Sequence, residues 1–121
     1  MATVRYIVDD VEASVAFYTD VLGFELKRNF APAMAILTKD DLALWVAGPV
    51  ASASRAMPDG SQPTPGGWSR FVLVVEDIEA TVASMTEAGA TFRNEITSNQ
   101  GRKQILVEDP SGNVVEIFQW G

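Results

Sequence analysis

Hydrophobic and polar positions along the chain follow one pattern that occurs twice. Val4-Arg5-Tyr6-Ile7-Val8-Asp9-Asp10-Val11-Glu12-Ala13-Ser14-Val15-Ala16 returns 67 residues later as Phe71-Val72-Leu73-Val74-Val75-Glu76-Asp77-Ile78-Glu79-Ala80-Thr81-Val82-Ala83. Each copy opens with a five-residue, mostly apolar stretch that reads as a buried strand. Asp10 and Asp77 stand where a helix N-cap belongs, with a carboxylate to accept from a first-turn N–H. Glu12 and Glu79 follow in that turn and favour its positive end. Val11, Val15, Tyr18 and Leu22 then recur at helical spacing, as do Ile78, Val82 and Met85. Gly23 and Gly89 are placed to end the two helices.

Three more strands are expected in each half. They are Phe24 to Arg28, Met34 to Thr38 and Leu42 to Ala47, then Thr91 to Glu95, Lys103 to Glu108 and Val114 to Trp120. Lys39-Asp40-Asp41 and Asp109-Pro110-Ser111-Gly112-Asn113 supply tight turns. The expected fold class is α+β: two tandem βαβββ modules, residues 1–48 and 68–121. Between them residues 49–67 form a Gly/Pro-rich segment, read evenly as a flexible linker or as a lid.

Composition narrows the chemistry. The chain has 121 residues and contains neither histidine nor cysteine. Imidazole and thiolate metal sites, disulfides and Ser-His or Cys-His nucleophiles are therefore excluded. A net charge of −7 argues against nucleic acid and anionic lipid as partners. No apolar run approaches the roughly 18 residues of a membrane span. The start Met-Ala-Thr-Val-Arg lacks the apolar core of a signal peptide, so the cytoplasm is the expected location. No phosphate-binding loop of the Gly-x-x-x-x-Gly-Lys type occurs.

Several blocks resemble the vicinal oxygen chelate superfamily, which includes glyoxalases, bleomycin-binding resistance proteins and extradiol dioxygenases. They are Arg5 to Ser14, Phe17-Tyr18 with Leu22-Gly23-Phe24, and Asp109-Pro110-Ser111-Gly112-Asn113-Val114-Val115-Glu116-Ile117. The resemblance covers essentially the whole chain and implies two modules whose sheets form a curved, mostly antiparallel cavity. It also implies a metal held by one residue from the first and one from the last strand of each module. Carried over, those four places read Thr3, Leu44, Arg70 and Glu116. Only Glu116 is a strong ligand, and the guanidinium of Arg70 has no lone pair to give. The expectation is therefore that no metal or other cofactor is bound and that Arg70 pairs with Glu116.

Strand alternation extends the candidate site. If Thr3 faces the cavity, so do Arg5 and Ile7, while Val4, Tyr6 and Val8 pack beneath the helix. Met34, Gln104 and Phe118 join the cavity, and Trp68 is placed beside the long segment to stack on a ligand or anchor the chain. By the same parity Trp45 is expected to face away, as core or dimer contact. Arg5 is favoured as a rim residue in a salt bridge, Tyr18 as core, Lys103 as solvated turn and Trp120 as an edge cover. The expected ligand-binding set is thus Thr3, Arg5, Met34, Leu44, Trp68, Arg70, Gln104, Glu116 and Phe118. It describes a largely apolar small-molecule pocket.

Two functions stay open. One is a metal-independent protein that binds an apolar or aromatic metabolite or antibiotic, as a homodimer like the resistance proteins it resembles. The other is an enzyme. It would be a cofactor-free isomerase, cyclase or lyase with Glu116 as candidate catalytic base, or a metalloenzyme, which the missing histidines disfavour.

Overall fold

The structure is a computed structural model describing residues 1–121. Its first half runs β1 (Ala2–Ile7), α1 (Val11–Asp20), β2 (Glu25–Phe30), β3 (Met34–Lys39) and β4 (Leu42–Ala47). After a short 3-10 turn at Ser52–Ser54, the second half runs β5 (Val72–Val74), α2 (Ile78–Glu87), β6 (Thr91–Phe92), β7 (Thr97–Asn99), β8 (Arg102–Glu108) and β9 (Val114–Gln119). The repeated strand–helix opening holds to the atom. Oδ1 of Asp10 accepts from Ala13 N and Oδ1 of Asp77 accepts from Ala80 N, both at 3.1 Å. Gly23 and Gly89 follow the helices with φ of 74° and 87°, the left-handed conformation a helix stop favours.

Each half makes its own sheet. The first has strand order β1-β4-β3-β2; the second has β5-β9-β8-β6, with β7 also on β8. In both, the opening strand pairs parallel with the closing one and all other pairs are antiparallel. The α+β fold class expected from the pattern is the one observed. One element differs. The strand expected over Thr91 to Glu95 is split into β6 and β7. Between the pairs Phe92↔Val107 and Thr97↔Gln104, five steps of one chain oppose three of β8. The excess loops out at Asn94, whose side-chain Oδ1 accepts from Leu106 N and so stands in for a backbone partner.

Pairing settles which side chains are buried together. Val4, Tyr6, Leu44, Val46, Ala35 and Leu37 share the α1 side of the first sheet. Ile105, Val107, Val115 and Ile117 line the matching side of the second. These two sets and the apolar faces of both helices form one core. Tyr6 bridges the halves, its ring 5.3 Å from that of Phe71 and its hydroxyl donating to Val114 O at 2.8 Å. No helix is long and apolar enough to cross a membrane.

Candidate functional site

The face of each sheet turned away from this core is open. On the first sheet it carries Thr3, Arg5, Met34, Ile36 and Trp45; on the second, Val72, Val74, Gln104, Leu106, Glu116 and Phe118. Arg70 lies just ahead of β5 and reaches Glu116. Its Nε and Nη2 both donate to Oε1, at 3.0 and 2.8 Å, while Nη1 donates to the carbonyl of Trp68 at 3.2 Å. The expected ion pair is therefore formed, and it is largely sheltered. Oε2 of Glu116 takes no hydrogen bond from the protein and is not sealed from solvent.

Two placements correct the sequence reading. Leu44 is fully buried in the core and does not reach the open face. Parallel pairing sets it beside Val4, on the α1 side, and its neighbour Trp45 beside Arg5. Arg5 in the first half corresponds by repeat to Val72, and Val72 pairs with Glu116. Trp45 is thus the counterpart of Glu116. The sequence Leu42-Ala43-Leu44-Trp45-Val46-Ala47 is apolar on both sides, so alternation alone left its parity ambiguous. Arg5 likewise enters no salt bridge. Its guanidinium stacks over Trp45, 5.0 Å from the ring centroid.

The four places that the resemblance assigns to a metal accordingly hold Thr3, Trp45, Arg70 and Glu116. One carboxylate, already bound to a guanidinium, is a poor donor set for a divalent cation, and Arg70 adds repulsion. No cluster of three or more His, Cys, Asp or Glu side chains suited to a metal occurs anywhere in the chain.

The remaining candidates separate into groups. Gln104 and Phe118 are cross-strand partners and line an open pocket of about 360 Å³ together with Thr97, Ser98, Asn99, Arg102 and Trp120. Thr3 and Met34 lie on the other sheet. Trp68 is exposed and stacks on Arg93, 4.6 Å from its guanidinium carbon. Arg93 also donates to Gly67 O and Gly112 O, and so ties the end of the interdomain segment to the second half. No cavity is lined by the open faces of both sheets.

The motif Asp109-Pro110-Ser111-Gly112-Asn113 does more than turn the chain. Asp109 is buried and accepts from four donors: Ser111 N, Asn113 N, Asn113 Nδ2 and the hydroxyl of Tyr18 in α1. Asn113 Nδ2 also donates to Ile7 O at the end of β1, and its Oδ1 accepts from Gly66 N. These bonds clasp the two halves. Tyr18 is core, as expected. Burial, and then the Asp109 carboxylate, push its phenol far above the ordinary tyrosine range. Tyr6 is pushed up to about 12, chiefly by burial and against a backbone hydrogen bond from Phe71.

Such a two-module α+β chain, with an inter-module clasp and an open face on each sheet, defines a class of scaffold. By sequence the chain belongs to the Glyoxalase/Bleomycin resistance protein/Dioxygenase superfamily, whose family model matches residues 1–117. The uncharacterized protein YwbC of Bacillus subtilis (strain 168) is 28% identical over 116 residues, covering 93% of this chain and 91% of that one. Among solved structures, a superfamily member from Sphaerobacter thermophilus is 26% identical with a TM-score of 0.75, covering 99% of this chain and 96% of that one. A lactoylglutathione lyase from Agrobacterium tumefaciens shares the fold at 22% identity and a TM-score of 0.77, covering 100% and 96%.

Proposed function

We propose that this chain is a metal-independent small-molecule-binding protein, taking an apolar or aromatic metabolite or antibiotic on the open faces of its sheets. Protection against an antibiotic by sequestration is one form this function takes. The observation that carries the reading is the Arg70–Glu116 ion pair, 2.8 Å long, standing where the family resemblance puts metal ligands. Thr3 and Trp45 at the other two places add one hydroxyl and an indole, which suit a ligand surface better than a coordination shell. Residues 1–48 and 68–121 act as the two modules, and 49–67 is a strap tied down at its end by Asn113 and Arg93.

Dimerisation belongs to the same proposal. Val72 and Val74 are 47% and 61% exposed on β5, an edge strand whose outer backbone is unpaired. A second copy laid against this edge would cover both and close a cup that one chain leaves open.

Metal analysis of protein purified without chelator tests the central reading. The expected result is no stoichiometric ion, and a bound ion lost in Glu116→Gln would overturn it. Thermal-shift screening against aromatic metabolites and antibiotics should find ligands that raise the midpoint by mass action. A uniformly flat panel counts against binding. Light scattering should report a dimer that Val74→Lys converts to monomer.

The free Oε2 of Glu116 favours a second reading, a cofactor-free isomerase, cyclase or lyase using Glu116 as base. A ligand recovered with altered structure after incubation with the protein, but unchanged after incubation with Glu116→Gln, would establish it.

A further inference from the structure

The chain is acidic overall, yet its open faces are not. Of six arginines in the sequence, Arg5, Arg28, Arg70 and Arg102 project from them. Arg28 pairs with Ile36, Ile36 with Trp45, and Trp45 with Arg5, so these four stand in one row across the first sheet with an arginine at either end. Sixteen carboxylates are available, but on the strands only Glu25, Glu108 and Glu116 share these faces, and each is already held by a cation, Lys27, Arg93 and Arg70. The remaining acidic residues cluster at the helices and turns. Arg5, Arg28 and Arg102 have no carboxylate partner.

The open pocket at the β7–β8–β9 end shows the same bias. Arg102 is its sole charged residue. One of its amino groups donates to Gln100 Oε1 at 2.7 Å, which leaves most of a guanidinium's five donors unused. Thr97, Ser98, Asn99 and Gln104 bring hydroxyls and amides. Phe118 and Trp120 stand edge to face, 4.7 Å apart, and Trp120 is 65% exposed. An aromatic corner, neutral polar groups and a guanidinium with no carboxylate partner form the complement of an aromatic ring bearing an anionic group. A cationic ligand would find repulsion and no acceptor of full charge.

We propose that this pocket binds the carboxylate of a small aromatic anion at Arg102, with its ring against Phe118 and Trp120. The proposal rests on the small-molecule reading of the open faces and adds the sign of the ligand's charge and the place where it is read.

Three probes of one shape and different charge test it: 2-naphthoate, 2-naphthamide and 2-naphthylmethylammonium. Each is titrated into the full chain while the indole N–H resonance of Trp120 is followed by heteronuclear NMR. The expected result is that naphthoate moves that resonance and binds at least about tenfold more tightly than the amide, as a charge-assisted hydrogen bond provides. Arg102→Gln should erase the difference and leave amide binding unchanged. Arg55→Gln, in the strap and outside the pocket, should do neither. Naphthoate binding no better than the amide, or surviving Arg102→Gln intact, overturns the charge assignment while leaving a neutral small-molecule pocket in place. If no probe moves Trp120, the pocket itself is overturned. The broader reading is then judged separately, by whether the antibiotic and metabolite panel shifts the thermal midpoint.

Discussion

Asp109 and Glu116 belong to the same sequence motif, seven positions apart, and serve opposite ends. Asp109 has every lone pair spoken for: four donors from two segments, its own turn and α1, converge on it in the buried seam. Glu116 puts two donors of one arginine on a single oxygen and leaves the other to whatever approaches the open face. A carboxylate saturated by backbone N–H groups, a side-chain amide and a buried hydroxyl holds a fold together. One left partly unsaturated on the open face of a sheet has capacity to spare for a ligand.

Four outcomes would break or sharpen that contrast. Asp109→Ala should cost the most, at least about 3 kcal/mol in urea unfolding, because it strands the Tyr18 hydroxyl and three neighbouring donors. A loss below about 1 kcal/mol would show that the clasp is ornamental. The seam should next reveal itself at high pH. Tyr6 titrates near 10.0 when unfolded and about 12 when folded, so its contribution is complete below pH 10 and disappears as pH rises through 12. Native stability relative to Tyr6→Phe should fall across that window by on the order of 2 kcal/mol. A constant difference would mean that Tyr6 is not sealed in the seam. Glu116→Gln should cost only about 1 kcal/mol, since Arg70 keeps the Trp68 carbonyl and some access to water. A loss as large as that of Asp109→Ala would move Glu116 into the structural class. Smallest is Arg5→Gln, expected at about 0.5 kcal/mol for an exposed cation–π contact with Trp45. Chemical denaturation at two salt concentrations would check it, as the stacking share persists when charge is screened.

Much of the scaffold was legible in the sequence. Both N-caps, both terminating glycines, the buried helix faces and seven of the eight expected strands arise from local chemistry, and local chemistry is written in consecutive residues. The strand over Thr91 to Glu95 was misread because the Asn94 amide mimics a backbone partner, which no periodicity reports. Within the site, Arg70 and Glu116 were found through the repeat and the motif. Leu44 and Trp45 were exchanged because β4 is apolar on both faces. Arg102 was not singled out, although it stands two residues before Gln104 and therefore on the same side of β8. The role of Asp109 as a clasp left only a turn signature, since its partner Tyr18 is 91 positions away.

The sequence alone determined the doubled strand–helix module, the absence of imidazole and thiolate chemistry, and the survival of a single strong ligand among four family positions. These follow from residue identity and short-range spacing. Only the tertiary structure decided which residue of β4 faces outward, that Trp45 answers Glu116, and that arginines gather on the open faces of an acidic chain. Those facts depend on strand register and on how two sheets share one core. A one-residue shift in pairing reverses every side chain, and nothing in a uniformly apolar strand records which way it went.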